Sequence, residues 1–239
     1  DARPLESDTD QNARFKRIDP DVSNADDPYA LILRVLAGAD NGEAETLLAE
    51  AERLAPDDAL VLDRLRAIHE SNARYDTALS YAERASAADP ANDRLRFTLG
   101  RLQAMNGLTA QAELTLRDVL TRAPSNNAAR QLLVQTLLDA GRVDAAEAAL
   151  AELPESDRPD ALRSSVLMAR NAHTEAETVL RKRVEEAPGD ASARWELAVC
   201  LREMGREDEG AQILTSATRR DGATVDDFAA VARFYAQDE

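Results

Sequence analysis

Three observations predict an all-α fold in which repeated helix-turn-helix units build an α-solenoid. First, Pro56, Pro90 and Pro124 follow one another at intervals of 34 residues. Second, the apolar residues between these prolines recur with the period of an amphipathic helix. Third, the 239 residues include only 9 Gly and 9 Pro, which argues against strands and long loops. Because a fixed internal period is characteristic of repeat architectures, we expect helix pairs that stack in one dimension.

Residues 93–126 show the repeated unit most clearly. Asn106-Gly107 divides the unit and supplies a residue that tolerates a positive φ just past a helix end. Before this turn, apolar residues stand at helical spacing: Leu95, Phe97, Leu99, Leu102 and Met105. After it, a second helical run begins at about Thr109 and ends at Ala123-Pro124, because proline disfavours the α conformation of the residue before it. Corresponding turns are predicted at 72–73, 140–141, 170–171 and 204–205.

This order of helix, tight turn, helix and proline resembles the tetratricopeptide repeat family. The family's pattern is a large residue, a Leu-Gly pair and a second large residue, then Ala, three residues and an aromatic or Leu, then Pro. Leu99-Gly100 matches the Leu-Gly pair. The small and larger residues of the second helix recur in phase as Ala44/Leu48, Ala78/Ala82, Ala112/Leu116, Ala146/Leu150, Ala176/Leu180 and Gly210/Leu214. The resemblance covers residues 25 to 224 and implies a right-handed α-solenoid of tetratricopeptide repeats.

The resemblance divides the chain into six repeats, at 25–58, 59–92, 93–126, 127–156, 157–190 and 191–224. The fourth repeat breaks the period, since Pro154 follows Pro124 after only 30 residues, whereas Pro188 follows Pro154 after 34. Removal of a whole turn keeps the apolar face of a helix in phase. We therefore expect the second helix of repeat four to lack about one turn.

The two ends of the chain fall outside the repeats. Residues 1–24 are polar and read as an arm or linker. Their composition favours disorder, and the alternative is an arm that docks on another subunit through Phe15 and Ile18. Residues 225–239 predict one helix after the N-cap Thr224, and we expect this helix to cap the solenoid, because terminal repeats need an outer cover.

The charge and cysteine content narrow the class of protein. The net charge is −16, from 45 acidic and 29 basic residues, so a phosphate backbone would be repelled and nucleic acid is not an expected partner. Cys200 is the only cysteine and is predicted to be a buried apolar residue. No run of about 18 apolar residues predicts a membrane span. The chain begins with Asp1, so either a removed leader or a fragment is expected; the compartment stays open, with the bacterial periplasm or cell envelope favoured over the cytoplasm.

No motif indicates catalysis or a cofactor. The two histidines, His69 and His173, fall in different repeats and are interpreted as structural. No His, Cys or carboxylate residues have a metal-ligand spacing, and neither a glycine-rich phosphate loop nor a nucleophile elbow is present. We therefore expect no enzyme activity, no metal and no cofactor.

The remaining candidate site is a surface. In the tetratricopeptide repeat family the first helices of successive repeats line a concave groove that binds a partner. The resemblance assigns to this groove Tyr29, Leu33, Asp63, Phe97, Arg101, Gln131, Gln135, Trp195, Val199 and Arg202. Trp195, Phe97 and Tyr29 are the expected energetic centres, since aromatic residues often dominate interfaces. The alternative for each aromatic residue is packing between repeats.

Two functions are compatible with such a surface. The first is a non-catalytic scaffold that binds another protein or peptide, as a subunit or assembly factor of a bacterial complex. The alternative is a regulatory or targeting domain of a larger enzyme, such as a transferase. Self-assembly through the convex face or the terminal helix is a third hypothesis.

Overall fold

The computed structural model describes residues 26–38, 41–219 and 223–236, and within these residues the chain forms α-helices, one 3₁₀ turn and no strand. Phe15 and Ile18 lie outside the described residues. The helices are α1 (Pro28–Leu36), α2 (Asn41–Leu54), α3 (Ala59–Ser71), α4 (Tyr75–Ala88), α5 (Asp93–Met105), α6 (Thr109–Arg122), α7 (Asn127–Asp139), α8 (Val143–Ala151), α9 (Asp160–Ala169), α10 (His173–Glu186), α11 (Ala191–Glu203), α12 (Glu207–Thr218) and α13 (Val225–Tyr235).

Helices with odd numbers are called first helices below, and those with even numbers second helices. Each of the six predicted repeats contains one helix of each kind, and α13 lies in the predicted terminal segment. The chain divides into two compact units, one up to Thr136 and one from Leu137 onward. Each unit is an array of paired helices, so the fold belongs to the all-α repeat solenoids.

First and second helices begin in different ways. Six first helices follow a residue whose side chain accepts a backbone N–H of the first turn: Asp27, Asp58, Asn92, Asn126, Asp190 and Thr224. These side chains satisfy donors that no helical carbonyl can reach. Five second helices, α4, α6, α8, α10 and α12, begin without a side-chain cap, directly after a tight turn.

The predicted turns between first and second helices are confirmed. A residue with a positive φ stands in each of five turns: Ala73, Gly107, Gly141, Asn171 and Gly205. The amide of Gly107 donates to the carbonyl of Ala104 at 3.0 Å, and that of Leu108 donates to Gln103 at 2.9 Å, which closes the end of α5. Only glycine adopts this conformation without steric cost, so Ala73 at φ 56° is a strained position.

The core of the first unit is built where a first helix meets the pair before it. Val61 and Leu65 of α3 pack with Leu31 and Ile32 of α1 and with apolar residues of α2. In the next pair, the small residues Ala78 and Ala82 of α4 receive Leu102 of α5. Small residues at these positions let neighbouring helices approach closely.

The second unit contains the shortened helix that the proline spacing predicts. Helix α8 has 9 residues, whereas α4, α6 and α10 have 14 each. The 3₁₀ turn Glu155–Asp157 follows it, and α9 starts only at Asp160. The guanidinium of Arg158 donates to the carbonyls of Ala151 and Leu153, both at 2.8 Å. Arg158 therefore satisfies carbonyl groups at the C-terminal end of the shortened α8, where no helical N–H is available.

Helices α10 and α11 of the second unit share a cluster of buried apolar residues. Ala176 and Leu180 of α10 pack with Leu197, Cys200 and Leu201 of α11. The thiol of Cys200 lies 3.3 Å from the carbonyl oxygen of His173, and burial raises its pKa, so the prediction of a buried apolar cysteine is confirmed.

Candidate functional site

In the first unit, Tyr29 and Leu33 lie on α1 and are both half-buried. The hydroxyl of Tyr29 donates to Oδ2 of Asp58 at 2.8 Å, and Asp58 is also the N-cap of α3. Burial, together with this hydrogen bond, raises the pKa of Tyr29. Tyr29 therefore connects α1 to the beginning of α3, which favours the packing role for this residue.

Asp63 of α3 is buried, with 2% of its surface exposed. Its Oδ1 accepts a hydrogen bond from Nε of Arg66, and its Oδ2 accepts one from Nη2 of Arg94, each at 2.6 Å. The prediction that Asp63 faces a partner does not agree with this position, because both carboxylate oxygens are engaged inside the unit. Its observed contacts bridge α3 and α5.

Glu70 extends this connection along the same two helices. Arg101 of α5 contacts its carboxylate through two nitrogens, at 2.6 and 2.9 Å, and Arg66 contacts it at 2.5 Å. The hydrogen bond from Arg101 lowers the pKa of the Glu70 carboxyl despite its partial burial. We call the five residues Asp63, Arg66, Glu70, Arg94 and Arg101 the charge ladder. A bidentate arginine contact is stronger than a single hydrogen bond and also restricts the relative orientation of the two side chains.

Phe97 lies on α5 between two members of the charge ladder, three residues after Arg94 and four before Arg101, and is half-buried. Residues at these spacings share one face of a helix. On α7, Gln131 is half-buried and Gln135 is exposed. The predicted residues of the first unit thus lie on first helices, and Gln135 is the most accessible of them.

In the second unit, Trp195 of α11 lines a cleft of about 230 Å³ between α11 and α13. The small residues Ala191, Ser192, Ala229 and Ala230 leave this space open, and Asp226 and Arg233 complete its wall. The indole is half-buried. An aromatic surface, a guanidinium and a carboxylate therefore line one small opening.

Aromatic contacts hold Trp195 in place. Its ring meets that of Phe234 edge to face, with 6.2 Å between the centroids, and the guanidinium carbon of Arg233 lies 5.4 Å from the indole centroid. Arg202, another predicted residue, places its guanidinium carbon 5.0 Å from the Phe234 ring. Val199 is half-buried between these positions on α11. Cations over aromatic faces stabilise both side chains.

A buried ion pair that sequence analysis missed holds α13 in the second unit. Arg194 of α11 contacts Asp227 of α13, and both side chains are almost fully buried. Asp227 also accepts the backbone N–H of Thr224 at 2.9 Å, as part of a capping box. The sequence places Asp227 in the first turn of a helix, but no local signal names Arg194, 33 positions earlier, as its partner.

A second cleft lies in the first unit. It measures about 750 Å³ and has walls from α1, α2, α3 and α4. The imidazole of His69 stacks on the ring of Tyr81 at 5.3 Å, and the Tyr81 hydroxyl donates to Glu52 at 2.7 Å. Burial lowers the pKa of His69, and burial with the Glu52 contact raises the pKa of Tyr81 to about 12. Both residues bridge helices, which agrees with a structural role for His69.

The described residues show no arrangement of three or more His, Cys, Asp or Glu side chains that could hold a metal ion. Likewise, none of the helices described has the length and apolar character needed to cross a membrane.

Comparison with known proteins assigns the repeated helix pairs to a family. The model of the tetratricopeptide repeat matches residues 71–125, 114–166 and 167–237. Cellulose synthase operon protein C of Xanthomonas axonopodis pv. citri (strain 306) is 31% identical over 192 residues. That match covers 72% of this chain but only 13% of the relative, so the chain spans a small part of that protein's length.

Solved structures support the same fold. A tetratricopeptide repeat protein from Parabacteroides merdae ATCC 43184 has a TM-score of 0.75 at 17% identity, with 88% of this chain and 86% of that chain covered. PilF of Pseudomonas aeruginosa has a TM-score of 0.61 at 14% identity, with 96% and 98% covered. TTC0263 of Thermus thermophilus, a thermophilic tetratricopeptide repeat protein, has a TM-score of 0.59 at 22% identity, with 74% and 99% covered.

Folds of this kind are generally non-catalytic scaffolds for protein–protein interaction. The family model covers well over half of the chain, and the helix pairs, capped first helices and tight turns agree with it. The protein is therefore a member of the tetratricopeptide repeat family.

Proposed function

We propose that this protein is a non-catalytic scaffold that binds another protein or peptide on the face formed by its first helices, as a subunit or assembly factor of a bacterial complex. The observation that carries the proposal is the cleft at Trp195. It combines a half-buried indole with a guanidinium and a carboxylate, and a short peptide side chain fits its volume of about 230 Å³. Tryptophan and arginine in partly desolvated clefts are the residue types that most often dominate binding energy.

The first unit supports the proposal in a different way. Phe97 provides an apolar surface, and the charge ladder holds the arginines on either side of it. Because Arg94 and Arg101 are already ordered by Asp63 and Glu70, less side-chain entropy is lost when a partner contacts this face. Gln131 and Gln135 on α7 supply amide groups suited to the backbone of an extended peptide.

Affinity capture from the source organism, read by mass spectrometry, tests this function. The bait proteins are the original chain, a Phe97→Ala/Trp195→Ala double variant and an Ala229→Phe variant. The last variant fills the cleft and keeps the indole, so it separates loss of binding from loss of packing. We expect one stoichiometric partner with the original chain and at least tenfold less with either variant.

Leu114→Ala is the matched control for the capture experiment. Leu114 is apolar and 71% exposed, but it lies on the second helix α6 rather than on a first helix. We expect this variant to retain the partner. Full retention by Ala229→Phe and by the double variant would contradict binding at this face.

One observation favours the alternative, a binding domain within a longer polypeptide. The relative from Xanthomonas is far longer than the segment that this chain matches. A further folded catalytic domain in the same polypeptide would support a regulatory or targeting role for this segment. Loss of that domain's activity when residues 26–236 are removed would establish the role. Full catalytic activity and targeting without this segment would contradict the alternative.

A further inference from the structure

Helix α13 exposes an apolar stripe on the side that faces away from α11 and α12. Phe228 is 57% exposed and Tyr235 is 53% exposed, and Ala232 between them is also exposed. These residues follow the N-cap Thr224 by four, eight and eleven positions, a spacing that places them on one face of the helix. A helix that caps a solenoid is expected to have a polar outer face, whereas this stripe is apolar.

In α5 the equivalent positions are covered by the second helix of the same pair. Counting from the N-cap Asn92, they are Arg96, Gly100 and Gln103. Nε of Arg96 contacts Asp118 of α6 at 2.8 Å, and Oε1 of Gln103 accepts the hydroxyl of Thr115 of α6 at 2.7 Å. A Cβ at Gly100 would lie 3.1 Å from the side chain of Leu116, also in α6.

Helix α3 repeats the arrangement at two of the three positions. Leu62 follows the N-cap Asp58 by four positions and packs with Ala85 of α4. His69 follows the N-cap Asp58 by eleven positions and stacks on Tyr81 of α4, its own second helix. All three positions that α13 exposes contact the following second helix in α5, and two of them do so in α3.

The opposite side of α13 already occupies the place of a first helix. Phe234 is fully buried and approaches Gly210 of α12, and Ala230 packs with Ala198 of α11 and Leu214 of α12. Helix α5 contacts the preceding second helix α4 in the same manner, through Leu102 against Ala78 and Ala82.

We propose that α13 is the first helix of a seventh pair, and that a second helix following it in the same polypeptide covers Phe228, Ala232 and Tyr235. Five turns join first to second helices here by three residues each, so sequence continuity is the way this fold covers such a face. The match to a small part of a much longer relative agrees with a polypeptide that continues. This inference concerns the solenoid itself and goes beyond the proposed partner binding.

The exposed residues define the chemistry of the covering helix. Ala232 leaves room for a large apolar side chain, as Gly100 does for Leu116. Phe228 stands where Arg96 meets Asp118, so the covering helix has an apolar residue there in place of a carboxylate. A small residue four positions before the large one, as in Ala112/Leu116, lets the two helices approach closely.

Amide hydrogen exchange on two chains tests the inference. One is the 239-residue chain. The other is the same chain extended by roughly 20 residues of the downstream reading frame, enough for a turn and a helix of four turns. We expect the extension to be helical and to slow exchange in 225–235 at least tenfold. A reading frame that closes after Glu239, or an extension that leaves exchange in 225–235 unchanged, would overturn the inference.

Two aspartate substitutions in the extended chain identify the contact. Phe228→Asp should abolish the added protection, because it places a charge under the covering helix. Val225→Asp is the matched control: Val225 is 83% exposed but lies outside the three positions, and the equivalent residue of α5 is Asp93. Equal loss with both variants would overturn the proposed contact. Protection of 225–235 in the 239-residue chain that rises with its concentration would assign the stripe to a second copy instead.

Discussion

Asp227 is the residue on which the attachment of α13 depends most. Its carboxylate accepts the Thr224 amide at 2.9 Å and the Thr224 hydroxyl at 3.0 Å, and it contacts Arg194. The hydrogen bond from the Thr224 backbone, joined by the Arg194 contacts, lowers the pKa of Asp227 although burial alone would raise it. Because the guanidinium of Arg194 is buried as well, removal of the carboxylate charge leaves an uncompensated cation.

We expect Asp227→Asn to lower the free energy of unfolding by about 3–5 kcal/mol, the usual cost of breaking a buried ion pair from one side. Urea denaturation at pH 7 measures it. Asp226→Asn is the control, since Asp226 is exposed in the same helical turn, and we expect a change within about 0.5 kcal/mol. Equal effects of the two substitutions would contradict the prediction.

The same variant has a defined pH dependence. The pKa of Asp227 is lower in the folded state than its ordinary value of 3.8. Its contribution is therefore fully present above that value and is lost as the pH falls through the folded pKa. The difference in stability between Asp227→Asn and the original chain should accordingly shrink in acid.

At the scale of helices, two glycines illustrate how closely the elements approach. In α12, a Cβ at Gly210 would lie 2.8 Å from the carbonyl oxygen of Ala198 in α11, and 3.2 Å from the ring of Phe234. In α5, the nearest atoms to a Cβ at Gly100 would belong to the side chains of Leu116 and Thr115. A backbone carbonyl cannot move without shifting its helix, whereas a leucine side chain can adjust.

We expect Gly210→Ala to destabilise the chain by about 1–3 kcal/mol, the cost of overpacking in a well-packed core. Gly100→Ala should change stability by less than about 1 kcal/mol, because the helix propensity gained by alanine offsets the tighter contact. Thermal or urea denaturation of both variants measures the difference. A Gly210→Ala chain as stable as Gly100→Ala would show that α11 and α12 can separate at no cost.

The shortened α8 shows how an element survives a deletion. Loss of a turn removes backbone hydrogen bonds at the end of the helix, and Arg158 replaces them with side-chain donors to Ala151 and Leu153. The proline spacing predicts the shorter helix, but it does not predict which side chain closes it.

At the scale of the whole molecule, each helix pair of a repeat protein contacts only the pairs next to it in the chain. Within each unit, ion pairs join neighbouring helix pairs, such as Asp63 with Arg94 in one unit and Arg183 with Glu196 in the other. Stability in such a fold is approximately a sum of local terms. A defect in one pair is therefore expected to loosen that pair and its neighbours first.

Hydrogen exchange can test this locality on the whole chain. Asp227→Asn should speed exchange in α11, α12 and α13 and leave α3 and α5 unchanged, because its contacts lie within the last helices. Asp63→Asn is the matched counterpart, because Asp63 bridges α3 and α5. It should speed exchange in α3 and α5 and leave α11, α12 and α13 unchanged. Faster exchange throughout the chain with either variant would indicate one cooperative unit and contradict the prediction.

Local sequence patterns predict the helix pairs, the tight turns at Ala73, Gly107 and Asn171, and the shortened α8. These features depend on the period of apolar residues and on the backbone preferences of proline and glycine. Both act between residues only a few positions apart, so one sequence contains the information.

The tertiary structure alone decided which side chains meet. It paired Asp63 with Arg94 and Arg194 with Asp227, residues about thirty positions apart, and it left the Phe228 face of α13 open while Trp195 lined a cleft. Many acids and arginines stand at similar helical positions, so their spacing could not select the pairs. Which residues pair depends on how neighbouring helices pack against each other. A buried pair interacts strongly because the surrounding dielectric constant is low, whereas water screens an exposed pair.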